Sequence, residues 1–384
     1  MKNKLTDAFI NIRAAGDISF VGKNADRPGL ELFQDVAAIL TAGDLVLGNL
    51  EGPLTLETDG LPGKCNLRGH PGWAPYLKEA GFNFVSLANN HIMDFGEQGL
   101  FETIELLKRN NIAFAGAGKN ITEASAPVIM EIKGKRVAII ARTSVIVSSP
   151  VNATATNAGI AFLNEKEIID TIRKCRKESD LVILVIHWGL EEYAYPSPTQ
   201  RKLARFFISS GIDIIIGHHP HILEGMEYIN GGLCVYSLGN FLFNDFEWMY
   251  RNSEQDEKAM PVQLSPGNRK GMILKISCQG QDGYWPEPYF TEIDPQGIVR
   301  ISKDMKNSRE FGILSQRLKY PFYSRLWKFY SLKMEWNLRL KKRFGIQNLI
   351  KNFVKLRPRH IIELLKSLKK TSDIISQKTT NPYD

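Results

Sequence analysis

Cysteine is scarce in this sequence of 384 residues and occurs as only four scattered residues. Cys65, Cys175, Cys234 and Cys278 form no CxxC pair. This spacing is not that of a disulfide framework or of a zinc knuckle. It favours a protein of a reduced, cytoplasmic compartment.

Long apolar runs are missing as well. No run reaches the ~18 residues that a membrane-spanning helix requires, and residues 1–20 contain no hydrophobic segment of a signal peptide. The hydrophobic fraction of 43% and the charged fraction of 23% are those of a globular protein. The length allows one large α/β domain with an appendage, or two modest domains.

Acidic residues become rare near the C-terminal end. From Lys306 to Asp384, 19 lysines and arginines stand against five acidic residues, which gives this stretch a charge of +14. Since the whole chain carries +8, the residues before Lys306 carry −6. We therefore predict two parts, an α/β domain over residues 1–305 and a basic amphipathic helical tail over residues 306–384.

The predicted tail contains an apolar stripe. Its members recur at spacings of mostly three or four, as on one face of a helix: Phe322, Leu326, Phe329, Tyr330, Met334, Leu338 and Phe344. Such a helix either lies peripherally on the inner face of an anionic membrane, or packs on the main domain or on a partner subunit. Nucleic acid is not favoured as a partner, because the tail aromatics such as Trp327 and Trp336 share the helical spacing.

Histidine, by contrast, is concentrated in one place. His218, His219 and His221 are three of the seven histidines, and they follow the apolar residues 212–216. That β-branched run predicts a strand buried on both faces. We expect Gly217 to turn the chain, so that the imidazoles leave the carboxyl end of the strand, where open α/β folds form their sites. His219 and His221 would then share one side, within reach of one or two metal ions.

Polar side chains follow four other predicted strands in the same way. They are Asp17, Asn49, Glu51, Asn90, His91, Asp94 and His187. Since each stands just past an apolar strand, we expect them to converge on one edge of a parallel sheet. Mixed carboxylate, amide and imidazole ligands suit Mn²⁺, Fe²⁺ or Zn²⁺ better than Ca²⁺ or a thiolate-bound metal.

In this order, the motifs resemble those of the CapA family of poly-gamma-glutamate capsule synthesis proteins, within the calcineurin-like metallophosphoesterases. The residues that carry the resemblance are Gly16-Asp17-Ile18, Asn49-Leu50-Glu51-Gly52, Asn89-Asn90-His91 with Asp94 and Gly96, His187-Trp188-Gly189, Gly217-His218-His219-Pro220-His221 and Ser237-Leu238-Gly239-Asn240-Phe241. The resemblance implies a four-layer α/β/β/α metallophosphoesterase-like sandwich with a metal site at the strand ends.

The resemblance also implies roles for individual residues. One or two divalent ions would be held by Asp17, Glu51, Asn90, His187, His219 and His221. Further candidates for a contact with metal or substrate are Asn49, His218 and Asn240. Arg142 is a further candidate by its position at the end of the strand predicted over residues 137–141, and not by the resemblance. The role of His218 is undecided, because Gly-His-His-Pro-His can be aligned with the family motif in two registers. For Arg142, an anion contact and a solvated surface position are the alternatives.

Two departures from the broader superfamily pattern bear on the number of ions. Ser19 stands two residues after Asp17, where the superfamily has a histidine. The motif from Asn49 to Glu51 replaces an aspartate-based motif. Both departures remove ligands for one metal, so we expect one firmly held ion and a second, weaker one.

These expectations lead to two functions of different kinds. In the first, the chain is a CapA-type metal-dependent hydrolase in capsule or anionic-polymer biosynthesis, acting on a phosphoester or on an amide. The polymer would be poly-gamma-glutamate-like or a polysaccharide. The nucleophile would be a water with its pKa lowered toward ~7 by the metal, and His91, oriented by Asp94, would protonate the leaving oxygen. In the second, the chain is a non-catalytic scaffold subunit of a polymer synthesis or export complex.

Several local expectations concern loops and sheets. Residues 57–72 are rich in Gly and Pro and predict a long loop that is either functional or mobile. Residues 244–268 are polar and also predict a loop. Residues 30–41 have the spacing of one helix. The apolar patterns of residues 272–278, 284–293 and 298–301 predict strands of an antiparallel or mixed sheet.

Overall fold

The computed structural model describes residues 10–22, 25, 28–145, 151–251, 257–279 and 283–337. Its helices are a 3₁₀ helix at Leu30–Phe33 and the α-helices α1 Ala37–Thr41, α2 Trp73–Glu79, α3 Gly96–Arg109, α4 Ile121–Ser125, α5 Glu165–Glu178, α6 Pro198–Ser209, α7 Met305–Leu318 and α8 Tyr323–Glu335. Its strands are β1 Ile10–Ile18, β2 Leu45–Leu50, β3 Phe84–Ser86, β4 Ala113–Ala115, β5 Ala117–Gly118, β6 Val128–Ile132, β7 Lys135–Thr143, β8 Gly159–Ile160, β9 Leu181–His187, β10 Ile214–His218, β11 Met226–Ile229, β12 Gly232–Val235, β13 Asn240–Leu242, β14 Phe246–Arg251, β15 Glu257–Val262, β16 Lys270–Cys278, β17 Tyr284–Ile293 and β18 Val299–Ile301.

The first sheet has eight strands. Seven follow the order β18-β17-β16-β1-β2-β3-β4, and β13 pairs with the end of β1. Strands β1, β2, β3 and β4 run parallel, whereas β16, β17 and β18 join antiparallel. The parallel half therefore brings the carboxyl ends of its strands to one edge.

The second sheet has six strands in the order β11-β12-β10-β9-β7-β6. Its inner strands β12, β10, β9 and β7 are parallel, and β11 and β6 are antiparallel strands at its two edges. The inner strands are apolar on both faces, as parallel strands covered on both sides must be. In β9 all seven residues are buried.

The two sheets face each other and are covered by helices on their outer sides. In β9, Ile183 and Val185 pack in the core between the sheets, together with Ile12 and Leu47 of the first sheet. The alternate residues of β9 pack beneath α5, α6 and α8. Helices α1, α2 and α3 cover the outer face of the first sheet. The predicted four-layer α/β/β/α sandwich is therefore confirmed.

Two expectations about local structure are wrong. Residues 244–268 contain the antiparallel hairpin β14–β15 in place of a loop. The hairpin is a two-stranded sheet that pairs with neither of the large sheets, so its sequence lacks the continuous apolar runs of the buried parallel strands. Residues 30–41 form a 3₁₀ turn and a short α-helix, not one helix. The strands predicted over residues 272–278, 284–293 and 298–301 are present in the first sheet.

Helical structure begins where the sequence changes character. The Asp304 side chain caps α7 by accepting a hydrogen bond from the Lys306 amide at 2.9 Å. Phe311 of α7 packs into the core between the sheets, and Trp327 of α8 packs on the helical layer of the second sheet. In the described part of the chain, no helix combines the length and the apolar character that crossing a bilayer requires. The division at residues 305 and 306 stays a prediction, and the predicted tail from residue 338 onward lies outside the described residues.

Candidate metal centre

Two rows of polar side chains meet at the carboxyl edge of the two sheets. In the first sheet, strand pairing puts Asp17 beside Asn49 and beside Asn240. In the second sheet, His218 pairs with His187. All five side chains are buried. The rows touch, since His218 Nδ1 lies 3.1 Å from Asp17 Oδ1 and Asn49 Nδ2 lies 3.3 Å from His187 Nδ1.

The histidine-rich turn has a strained backbone. The expectation that Gly217 turns the chain is wrong, because Gly217 continues β10. Glycine is required there because a Cβ atom would lie 1.9 Å from the carbonyl oxygen of Tyr236. The turn is made by His219 and His221, whose φ angles are 98° and 59°. Non-glycine residues in this left-handed region carry strain, and such strain clusters at functional sites.

Glu51 lies in the middle of the centre. Its carboxylate is fully buried, and neither oxygen accepts a hydrogen bond from a described residue. Oε1 lies 3.7 Å from His221 Nε2 and 3.6 Å from His187 Nε2. Two ligand atoms bonded at ~2.1 Å to one ion are separated by about 3.5 Å in a tetrahedral arrangement. The spacing around Glu51 therefore fits a divalent metal ion.

The predicted ligands form two groups that share the Glu51 carboxylate. The ligand atoms within each group lie within 4.8 Å of one another, in the groups Asp17–Glu51–His221 and Glu51–His187–His219. Asn90 joins the second group, because its Oδ1 is 2.8 Å from His187 Nε2. All six predicted ligands are thus brought together, and their binding of an ion stays a prediction.

The electrostatics of the centre favour a positive charge. Burial lowers the pKa of His221, but the Glu51 and Asp17 carboxylates outweigh burial and raise that pKa to about 9. Burial lowers the pKa of His219 to about 4 and, with the neighbouring imidazoles, holds that of His187 well below its usual value. Burial also raises the pKa of Glu51 well above its usual value, against the opposing effect of His221. His187 and His219 are therefore held neutral, which is the form that binds metal, beside the carboxyl groups of Glu51 and Asp17.

Two asparagines orient the groups around them. Asn240 Oδ1 lies 2.9 Å from His221 Nδ1, while its amide nitrogen donates to the Asn268 carbonyl at 2.9 Å. This contact leaves His221 Nε2 directed at Glu51, and such bonds fix the tautomer of metal-ligating histidines. Asn49 donates to Asp17 Oδ1 at 2.9 Å. Both asparagines therefore lie behind the ligand candidates, and a direct contact with metal or substrate stays a prediction.

Beside the centre, His91 and Asp94 form the pair that the sequence predicts. His91 Nδ1 lies 2.7 Å from Asp94 Oδ2, which also accepts a hydrogen bond from the Leu67 amide at 2.7 Å. The other carboxylate oxygen pairs with the Lys64 ammonium, which also donates to the Asn90 carbonyl. With Nδ1 engaged, Nε2 of the partly exposed His91 is the nitrogen left to exchange a proton.

A cleft of about 900 Å³ is lined by Lys64, whose ammonium pairs with Asp94, whereas neither His91 nor any of the six predicted ligands is among its lining residues. Its walls come from the loop of residues 57–72 and from the start of the β14–β15 hairpin. The two walls are joined, because Trp248 Nε1 donates to the Lys64 carbonyl at 3.1 Å. Arg68 adds a second cation to the lining, and Asp245 and Glu247 add acids. A substrate in this cleft would lie against the Lys64–Asp94 contact.

Arg142 lies away from the centre, and its interpretation as an anion contact is wrong. Along β7 it follows Ile140 on the face that packs beneath the helices. Its guanidinium donates to the Ser125 carbonyl at 3.0 Å and to Glu167 at 3.3 Å. The side chain is fully buried, so the solvated alternative is also wrong. Burial lowers the pKa of Arg142, against the opposing effect of Glu167.

Three further residues belong to the site without having been predicted. Asn89 Oδ1 accepts hydrogen bonds from the amides of His91 and Ile92 at 3.0 and 2.9 Å and so shapes their turn. Glu191 forms an additional carboxylate–imidazole group with His219 and His221. Lys64 holds Asp94. Asn89 belongs to the Asn89-Asn90-His91 motif, and Glu191 lies two residues past the His187-Trp188-Gly189 motif. Lys64 lies in an irregular loop and has no such signal.

The fold and the site together define a class, namely a four-layer α/β/β/α protein with a carboxylate–imidazole centre at its strand ends. Residues 11–245 match the model of a family described as "Bacterial capsule synthesis protein PGA_cap". This match covers more than half of the chain, so the chain belongs to that family. The CapA resemblance noted in the motifs is thereby confirmed.

Two curated relatives carry CapA names. The chain is 32% identical over 282 residues to the capsule biosynthesis protein CapA of Bacillus anthracis, covering 71% of this chain and 67% of that protein. It is 32% identical over 246 residues to the PGA biosynthesis protein CapA of Bacillus subtilis (strain 168), covering 62% and 64%. The chain thus spans about two thirds of the length of these relatives. Among solved structures it is similar to a putative 5'-nucleotidase from Staphylococcus aureus, with 12% identity, a TM-score of 0.44, and coverage of 82% of this chain and 59% of that one.

Proposed function

We propose that this chain is a metal-dependent hydrolase that acts in the biosynthesis of an anionic capsule polymer. The observation that carries the proposal is the Glu51 carboxylate, which is buried without a hydrogen-bond partner among the described residues and lies between His187 and His221. Polar atoms that serve only the fold are normally paired with one another or with the backbone. Those of Glu51 are left for a cation.

The residues fit one or two divalent ions. The ion-holding groups would be Asp17, Glu51 and His221 for one, and Glu51, Asn90, His187 and His219 for the other. Ser19 offers a buried hydroxyl without a hydrogen-bond partner among the described residues, at the place of the missing histidine. A divalent ion bound here would act as a Lewis acid that polarises a substrate oxygen and lowers the pKa of a water molecule.

His91 would act as the general acid that protonates the leaving oxygen. Asp94 accepts the hydrogen bond of His91 Nδ1 and thereby directs Nε2 outward. Lys64 and the Leu67 amide hold Asp94 in turn, so the imidazole is fixed in one orientation. A fixed acid within reach of the leaving oxygen contributes typically 10²–10⁴-fold to turnover.

The cleft that Lys64 lines would receive the substrate, next to the Lys64–Asp94 contact. Lys64 and Arg68 supply cations for an anionic chain, and Phe246 and Trp248 supply rigid apolar surface. The names of the two relatives, a capsule biosynthesis protein and a PGA biosynthesis protein, support an anionic polymer as the context. The bond cleaved would be a phosphoester or an amide of that polymer.

The test combines metal analysis with hydrolysis assays on the full-length protein. A phosphodiester, a phosphomonoester and a γ-glutamyl amide are offered with Mn²⁺, Fe²⁺ or Zn²⁺. We expect turnover of at least one substrate class that a chelator abolishes and one of the ions restores. Asp17→Asn should lower both metal content and turnover. Asp35→Asn, at an exposed carboxylate paired with Arg300, should change neither.

Two outcomes would contradict the hydrolase. If the wild-type protein retained no metal, the predicted metal centre would be contradicted. Full metal occupancy without turnover of any substrate class would favour the alternative function, a non-catalytic scaffold subunit.

A further inference from the structure

Helix α8 is apolar on two opposite sides. Its inner side packs on the helical layer of the second sheet through Tyr323, Trp327 and Tyr330. The packing is reinforced by hydrogen bonds, from the Tyr323 hydroxyl to the Pro196 carbonyl at 2.6 Å and from Trp327 Nε1 to the Tyr195 carbonyl at 3.2 Å. A helix between a core and water normally presents a polar outer side. This one does not.

The outer side of α8 carries a row of exposed aromatic rings. Phe322, Phe329 and Trp336 are 65%, 76% and 46% exposed. They follow one another at intervals of seven residues, which is about two helical turns, so they lie along one side of the helix. Tyr320, in the turn before α8, adds a further ring that is 60% exposed. Aromatic rows of this kind mark a surface that binds something.

The charges around this row are almost all of one sign. Residues 317–336 contain five basic residues, and Glu335 is the only acid among them. Arg325 and Lys328 are exposed beside the row, and the Arg325 guanidinium lies 5.4 Å from the centre of the Phe322 ring. The sequence of residues 338–384 adds 12 basic residues against three acidic ones. Whatever binds the row must therefore be anionic.

A basic cleft lies at one end of the row. This turn cleft, of about 360 Å³, is lined by residues of α6 and by the turn between α7 and α8. Arg201 in its wall is already neutralised by Glu227, at 2.9 and 2.7 Å. Arg205 and Lys319, also in the wall, have no acidic partner within ion-pair distance in the described part of the chain. The cleft thus offers two cations beside exposed aromatic rings.

We propose that the outer side of α8, together with the turn cleft, docks on an anionic lipid bilayer. The rings of Phe322, Phe329 and Trp336 enter the interface, and Arg205, Lys319 and the basic residues of α8 contact lipid phosphates. This is how an amphipathic helix lies in a membrane surface, with apolar insertion and electrostatic attraction acting together. The inference is independent of whether the metal centre hydrolyses anything.

A second copy of the chain fits this surface less well. A two-fold contact between copies brings the same patch of each together. Here it would bring together two patches that both carry exposed cations, Arg325 and Lys328 among them, and like charges repel each other. A planar surface of anionic lipid meets both the rings and the cations.

The experiment is flotation of full-length protein with vesicles of phosphatidylglycerol and phosphatidylcholine, or of phosphatidylcholine alone, at low and high salt. We expect binding to the anionic vesicles that weakens at high salt. Phe329→Ser should weaken partitioning about 10-fold, because a phenyl ring no longer enters the interface. The double change Arg325→Glu and Lys328→Glu should weaken it by at least about 25-fold, from about fivefold per lost basic residue.

Matched controls lie on other faces. Ile129→Ser removes an exposed apolar side chain from β6, at the far edge of the second sheet. The double change Lys108→Glu and Arg109→Glu reverses the same charge on α3, in the opposite helical layer. Both controls should partition like the wild type. Thermal unfolding of each variant verifies that it is folded.

Three outcomes would overturn the proposal. The first is equal binding to neutral and anionic vesicles, or no binding at all. The second is wild-type behaviour of folded α8 variants, which would assign binding to another part of the chain. The third is a dimer in sedimentation equilibrium that Phe329→Ser converts to a monomer while vesicle binding is unchanged.

Discussion

Two glutamates of this molecule are alike in burial and differ in their surroundings. Glu51 at the strand ends and Glu224 beyond the histidine-rich turn are both buried, and neither carboxylate accepts a hydrogen bond from a described residue. Burial raises the pKa of both well above the usual value. Around Glu51 stand the imidazoles of His187 and His221 and the carboxylate of Asp17. For Glu224, burial alone accounts for the raised pKa.

The difference shows what a buried carboxylate needs in order to become a ligand. A buried acid can avoid its desolvation penalty by keeping its proton, as the surroundings of Glu224 favour. Glu51 shares a ligand group with His187 and His219, whose pKa values are depressed, and it lies beside the Asp17 carboxylate, so a cation can replace the proton. Both residues are buried. Only their neighbours distinguish Glu51, the predicted metal ligand, from Glu224, which is expected to stay protonated.

The largest expected effect compares the same substitution at both positions. Glu51→Gln should abolish tight metal binding, because the amide cannot supply the charge that both ligand groups share. Glu224→Gln should leave metal content unchanged. Metal analysis by mass spectrometry after dialysis measures both. Equal metal loss in the two variants would remove the distinction drawn between them.

His91→Ala separates binding from chemistry within the centre. Because His91 contacts Asp94 and belongs to neither ligand group, metal content should stay at the wild-type level. Turnover should fall by ~10²–10⁴-fold if His91 is the general acid. Metal loss equal to that of His221→Ala would mean that His91 is itself a ligand.

The packed side of α8 can be compared with its exposed side. Trp327→Ala should destabilise the fold by about 3–5 kcal/mol, because it leaves a cavity beneath the helix and removes a hydrogen bond. Phe329→Ala, two residues further on and largely exposed, should change stability by no more than about 0.5 kcal/mol. Chemical denaturation gives both values. Similar losses at the two positions would show that the outer ring is also packed.

Lys64→Met tests the support behind His91. Loss of the ammonium frees one oxygen of Asp94, so turnover should fall by about 10–100-fold, as for other residues that orient a site. Metal content should not change, and Lys64→Arg should recover part of the activity. Steady-state kinetics should show the loss mainly in kcat. A loss confined to KM would make Lys64 a substrate contact instead.

The smallest effect is a pH dependence at Glu224. Its pKa in the folded protein is raised by burial, above the value of ~4.3 expected in the unfolded chain. The folded state therefore binds this proton more tightly, and the stability it contributes at low pH is lost as pH rises through the folded pKa. Glu224→Gln cannot ionise, so its Tm should exceed that of the wild type increasingly from pH 4 to pH 8. Parallel Tm curves for the two proteins would show that Glu224 is not titrating.

Much of the centre was predictable because it follows a simple rule of strands. Asp17, Glu51 and His187 each stand at or just past the end of an apolar run, and parallel strands bring such ends to one edge. The rule needs no knowledge of loop conformation. It also predicts the facing histidines, since their turn follows β10 directly.

Arg142 was misinterpreted because the rule does not fix which face a residue occupies. In a strand buried on both sides, no polar alternation reveals the pleat, and a shift of one residue reverses every side chain. Thr143 occupies the register position beside His187, and Arg142 therefore points to the helices. The role of Lys64 was not predicted, for another reason. Its contact with Asp94 depends on the path of an irregular loop, which leaves no periodic pattern in the sequence.

The pairing of β1 with β13 determines how late in synthesis the centre can be completed. Asp17 emerges early from the ribosome. Its partner Asn240 is synthesised only after all the strands of the second sheet. The contact of Asp17 with the His219 amide closes a separation of 202 residues. The nascent chain therefore holds Asp17 beside Asn49 but without the histidines of the turn after β10, and contacts this distant in sequence form late. A metal ion at this centre would therefore be taken up only after these residues have been made, and we expect nascent chains stalled before residue 240 to emerge unable to retain an ion.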